Sequence, residues 1–161
     1  MRERCVCANR RCSPQAIAAQ LLQTAPAGEE WVVDTLREAA VLALALGDSK
    51  AAVTYLTRAL AEPPPDSRRA AALAELGRAE ARTGAPGAVE HLEQAIALAP
   101  DPCDAAVAGL ELAGLLKFAG DSVRAVEVLT QAQAHLGGDD TALFDRLEVE
   151  LIGCAYISLS A

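Results

Sequence analysis

The residues of this chain with the greatest chemical capacity are thinly scattered. Three thiols crowd its start as Cys5-x-Cys7-x4-Cys12, with Cys103 and Cys154 far downstream. A structural zinc site takes four ligands, usually from paired knuckles two to four residues apart, and the two histidines, His91 and His135, lie remote from the cluster. The spacing therefore predicts no metal site within this segment. The alternative is a site completed by a remote ligand or by a second chain. Cys103 and Cys154 read as small hydrophobes, and the odd thiol count argues against a disulfide framework. Gly47-Asp-Ser-Lys50 lacks the glycine spacing with which backbone amides cradle a phosphate. His91 and His135 have no evident catalytic partner in the sequence. Glu148 and Glu150, two apart on a helix, do not face one another. No catalytic constellation emerges, so neither an enzyme nor a cofactor is expected.

The elements that hold these residues are helices. Hydrophobic residues make up 52% of the 161 positions but aromatics only 3%, so the apolar content is mainly alanine, leucine and valine, a composition that favours helix over strand. The net charge is −8, with +3 on residues 1–12 and −11 on the remainder. An acidic body repels phosphate backbones, so direct nucleic-acid binding is not expected. The longest apolar run, Ala39–Leu46, is far below the ~20 residues of a membrane span. The basic start followed by Ala16–Leu22 resembles a secretory leader only loosely, because Gln15, Gln20 and Gln23 interrupt it. A cytoplasmic protein with no membrane contact is expected, with residues 1–12 a basic, disordered start.

Gly47-Asp48, Pro63–Asp66, Gly84–Pro86, Pro100–Pro102, Gly120-Asp121 and Gly137–Asp140 punctuate the chain at regular intervals. Asp48, Ser49, Ser67, Asp121 and Ser122 are candidate N-caps. Between the punctuation, Ala-Val-x-x-Leu-x-x-Ala occurs at Ala52–Ala59, Ala88–Ala95 and Ala125–Ala132, placing Leu56, Leu92 and Leu129 at a period of 36 to 37 residues. Two helices per period signal a helical repeat array. The pattern resembles the tetratricopeptide repeat, a hairpin of helices A and B. Leu73-x2-Leu76-Gly77-x2-Glu80, Ala88-x3-Leu92 and Pro100 follow its signature best. The first unit carries Leu36-x2-Ala39-Ala40-x2-Ala43, the third Gly109-x2-Leu112-Ala113-x2-Leu116, and a half-unit Val149-x2-Ile152-Gly153-x2-Tyr156. No unit keeps the signature tryptophan, so the repeats are divergent. The expectation is an all-α, right-handed α-solenoid over 13–161. It has a leading helix at 13–24, repeats at about 31–65, 67–100 and 102–137, and a half-repeat at 140–157. Gly77, with Ala40, Ala113 and Gly153 at the equivalent places, is expected where helix B crosses A closely. Ala95 is expected on the other side of that contact. Trp31 is expected to pack the leading helix onto the end of the array.

The resemblance further implies a concave groove lined by the A helices. The family's groove-facing places fall on Asp34, Arg37, Val41 and Leu44, on Arg78 and Arg82, on Val107, Leu110, Lys117 and Phe118, and on Leu147 and Glu150. Of these, Arg37, Arg78, Arg82, Leu110, Lys117 and Phe118 are the candidate anchors for a protein or peptide partner, the arginine pair favouring an acidic segment. The carboxylate clamp for heat-shock chaperones uses lysine and asparagine, and Asn9, the sole asparagine, lies outside the repeats. Longer stretches, PAGEEWVVDTLREAA (Pro26–Ala40), AAVTYLTRALAEPPP (Ala51–Pro65) and LAELGRAEARTGAPGAVEHLEQAIALAPDP (Leu73–Pro102), resemble the helical region of large ATP-binding LuxR-type transcriptional regulators. This implies a sensor or linker segment, because the flanking ATPase and helix-turn-helix modules of that family are missing from the sequence. A stand-alone adaptor unrelated to transcription is the alternative.

Overall fold

In a computed structural model the structure describes residues 13–62, 65–136 and 140–159. The expectations for the basic start, with Cys5, Cys7 and Cys12, and for Gly137–Asp139 lie outside the described residues. The described chain is all-helical: α1 (Pro14–Leu21), α2 (Glu30–Ala45), α3 (Ser49–Ala61), α4 (Asp66–Thr83), α5 (Ala88–Leu98), α6 (Pro102–Phe118), α7 (Ser122–Leu136) and α8 (Thr141–Leu159). Each helix packs chiefly on its immediate neighbours in sequence. The even-numbered helices α2, α4, α6 and α8 also lie against one another in succession.

The hairpin turns share one device. Gly47, Gly84 and Gly120 follow α2, α4 and α6 with φ of 82°, 71° and 85°, the left-handed conformation that side chains resist. The next amide then reaches back five residues to a carbonyl: Asp48 to Ala43, Ala85 to Glu80, and Asp121 to Leu116. These bonds satisfy carbonyls that the helix end would leave orphaned and fold each even helix back onto the next odd one. Asp48 and Asp121 cap the helices that follow, as the sequence suggests, while Ser49 and Ser122 fall inside the first turn. Asp101 and Asp140 cap α6 and α8 in the same way. The start of α4 differs from expectation, since the helix begins at Asp66 after Pro65 and carries no side-chain cap. The rigid φ of Pro65 substitutes for a cap in setting the entry of the chain.

The core repeats with the sequence. Ala52, Leu56 and Ala59 of α3, Ala88, Leu92 and Ala95 of α5, and Ala125, Leu129 and Ala132 of α7 are all buried. Gly77 lies where expected. A Cβ built on it would stand 2.7 Å from Leu92 Cγ and 3.1 Å from the Ala88 carbonyl oxygen, so only glycine admits this approach of α5 to α4. In the next hairpin the equivalent place is held by the buried Ala113, and a Cβ on the neighbouring Gly109 would make only an ordinary contact, 3.4 Å from Ala132 Cβ.

Two further expectations fail. Trp31 is 53% exposed, its indole nitrogen donating to Glu29, and it does not dock α1. Ala18 and Leu21 pack instead against Val32, Val33, Leu36 and Ala59, because the eight-residue α1 presents only a small apolar face. The half-repeat is also turned by one residue. Leu147, expected in the groove, is fully buried with Leu143 and Cys154, while Val149, Ile152 and Tyr156 are 68%, 62% and 74% exposed. Gly153 faces open space. The expected register would place Glu148 where Ala72 and Ala108 are buried in α4 and α6. A rotation of ~100°, one residue, brings Leu147, Leu151 and Cys154 to that side and leaves Glu148 in water.

A candidate partner-binding groove

The residues expected to line a groove lie on the even helices, and an ordered set of ion pairs crosses between those helices. Arg37 of α2 grips Glu75 of α4 through two hydrogen bonds, Nε to Oε2 at 3.0 Å and Nη2 to Oε1 at 2.7 Å. Arg78 of α4 reaches Glu111 of α6, with Nε to Oε1 at 2.7 Å. Lys117 of α6 reaches Glu150 of α8 at 2.7 Å. Each rung joins a cation on one even helix to a glutamate on the next. The glutamates lie 36 and 39 positions apart, the second interval spanning α7, which is longer than α5. Arg68 of α4 adds a rung in the opposite direction, to Glu30 and Asp34 of α2. The hydrogen bond to Glu75 raises the Arg37 pKa against burial, and that to Glu150 does the same for Lys117.

Three of the four expected cationic anchors thus brace neighbouring helices. Arg82, the fourth, is exposed and donates from Nη1 to the Leu44 carbonyl of α2 at 3.4 Å, so the Arg78–Arg82 pair diverges toward different neighbours. Phe118 is 95% exposed at the end of α6 and touches little. Leu110 is half-buried and lines a cleft.

That cleft, of about 380 Å³, opens between α6 and α8 and is walled by Val107, Leu110 and Val149 with Asp145 and Arg146 at its rim. A second, of about 200 Å³, lies between α4 and α6 over Ala71, Ala74, Ala95 and Ala108. A third, of about 570 Å³, lies between α2 and α4 beside Glu38, Val41 and Leu42. Arg37 and Glu75 line both the second and the third, and Val107 lines both the first and the second, so adjoining clefts share walls along the even helices. The groove brings together Arg37, Arg78 and Leu110 and is bordered by the Lys117–Glu150 rung. Arg82 and Phe118 line none of these three clefts.

No family model matches the sequence. No curated protein matches it either.

Two buried carboxylates escaped sequence reasoning. Glu62, 1% exposed, accepts the amides of Ala27 and Gly28, at 2.9 and 2.5 Å, and the Arg58 guanidinium. It pins the α1–α2 connection to the end of α3. Burial pushes its pKa up, but the Arg58 and backbone hydrogen bonds outweigh burial and hold it below the ordinary 4.5. Glu80 of α4 bonds His91 Nδ1 of α5 at 2.7 Å, which gives His91 a partner across the hairpin. The 11-residue separation is the only sequence signal for that pair. Burial pushes both described thiols, Cys103 and Cys154, above their ordinary range, with Asp101 adding to the effect at Cys103, so neither is an activated nucleophile. Among the described residues, no three metal-ligating side chains come together, and no helix is long and apolar enough to cross a membrane.

Proposed function

We propose that this chain is a protein-interaction module, a right-handed α-solenoid of tetratricopeptide-like hairpins that takes its partner along the face of the even helices. The observation that carries the reading is the succession of three adjoining clefts across α2, α4, α6 and α8, with aliphatic walls at Val41, Val107, Leu110 and Val149. Two further features support it. The same alanine–leucine–alanine pattern is buried in α3, α5 and α7, and contacts between alternate helices favour the even side as the inner side of the array. Inner faces of helical arrays offer extended surfaces suited to polypeptides. The stretches Pro26–Ala40 and Leu73–Pro102 extend the proposal to a cytoplasmic sensor or linker region of an ATP-dependent LuxR-type regulator. The reading rests on binding alone, with no reaction.

Affinity capture tests it. Leu110→Arg combined with Val149→Arg places two charges in the α6–α8 cleft at half-buried and exposed positions, so folding is retained while partner recovery falls at least tenfold. Val123→Arg on exposed α7 serves as the control. Equal recovery by the cleft variant would remove the groove from the account.

A further inference from the structure

We infer that the groove selects a basic segment, one in which lysine or arginine side chains alternate with aliphatic ones. This deepens the proposed interaction function and rests on it. It also reverses the sign of partner expected from the sequence, because the cations that would attract an acidic peptide are already paired. Seven carboxylates line the three clefts against three guanidinium groups. Arg37 and Arg78 are held by Glu75 and Glu111, and Lys117 at the border by Glu150. The carboxylates left without an ion pair are Glu38 in the α2–α4 cleft, Asp104 in the α4–α6 cleft and Asp145 in the α6–α8 cleft, one in each, all exposed. The single unpaired guanidinium in the lining is Arg146.

A second observation points the same way. Glu111 Oε2 is buried beside the α6–α8 cleft with no hydrogen-bond partner, while its Oε1 holds Arg78. An unsatisfied buried carboxylate oxygen is costly, and a donor entering the cleft would relieve it. The body of the chain, at −11 outside its first twelve residues, adds a long-range field that draws a cationic segment toward the groove. Aliphatic residues between the charges would occupy the walls at Val107, Leu110 and Val149. The occupant is thus a peptide that is both cationic and apolar, one basic side chain to each cleft.

Fluorescence anisotropy decides the matter with two labelled peptides of about twelve residues. One repeats lysine, valine and alanine, and the other replaces every lysine with glutamate. The full chain is expected to bind the lysine peptide at least tenfold more tightly than the glutamate peptide. The variant Glu38→Gln/Asp104→Asn/Asp145→Asn should weaken lysine-peptide binding tenfold or more with an unchanged melting temperature. A second triple variant, Glu90→Gln/Glu127→Gln/Glu148→Gln, removes the same charge away from the clefts and should bind within twofold of the parent. Equal losses from both triple variants would reduce the effect to net charge and overturn the inference. Preference for the glutamate peptide would also overturn it while leaving the groove as the binding face. Binding of neither peptide, with natural partner capture still abolished by the Leu110/Val149 variant, would overturn the basic specificity alone.

Discussion

Gly77 shows how much a single position can decide. Alanine is the better helix former by about 1 kcal/mol, yet the added methyl would meet Leu92 Cγ and the Ala88 carbonyl, and Leu92 is fully buried and has no room to retreat. Gly77→Ala should therefore lower stability by about 1–3 kcal/mol despite its propensity gain. Gly114→Ala, inside α6 with nothing near its Cβ position, should raise stability by about 0.5–1 kcal/mol. Chemical denaturation of the two variants yields opposite shifts in midpoint, and shifts of the same sign would remove close approach as the reason for Gly77. This role was legible in the sequence because Ala40 and Ala113 occupy the equivalent places. Glu62 was not legible, since its meaning depends on amides 34 and 35 residues away. Its depressed pKa makes a pH prediction. The carboxylate contributes stability that is present above the ordinary 4.5 and is lost as pH falls through its folded value. Thermal melts from pH 7 to pH 3 should fall more steeply for the parent than for Glu62→Gln, and parallel curves would mean that Glu62 makes no such contribution.

Among the elements, α8 separates pattern from packing. Helical periodicity reveals an apolar stripe but not which of two adjacent stripes wins, and α8 carries both Leu143–Leu147–Leu151–Cys154 and Val149–Ile152–Tyr156. The first buries more aliphatic surface and keeps Glu148 in water, so it faces α7 and α6. Leu147→Ala should cost about 2–5 kcal/mol and Ile152→Ala less than about 0.5 kcal/mol, measured by denaturant unfolding. The reverse order would restore the register expected from the sequence. The rungs between even helices were half-visible. Glu38, Glu75 and Glu111 recur at 37 and 36 residues, a periodicity that marks a shared face. Among the described residues only Glu75 and Glu111 of these are paired, and the cations Arg37, Arg78 and Lys117 that hold Glu75, Glu111 and Glu150 occupy different places in their helices, so no fixed spacing announces the pairs. Each half-exposed rung contributes on the order of 0–1 kcal/mol, and its larger effect is to fix the cations in place. That is why the groove carries less free positive charge than its composition suggests.

At the scale of the molecule, the helical class and the order of hairpins followed from composition and the 36–37-residue period, while the electrostatic character of the groove did not. Charge in a sequence is a sum over residues, whereas charge available to a partner is what remains after neighbouring helices have paired. The measurement that tests the central claim most directly is amide chemical-shift mapping of the full chain titrated with the lysine–valine–alanine peptide. The account predicts shifts concentrated on the even helices, around Glu38, Ala74, Asp104, Leu110 and Val149, with the exposed faces of α3, α5 and α7 unmoved. Shifts confined to those odd-numbered faces would contradict it.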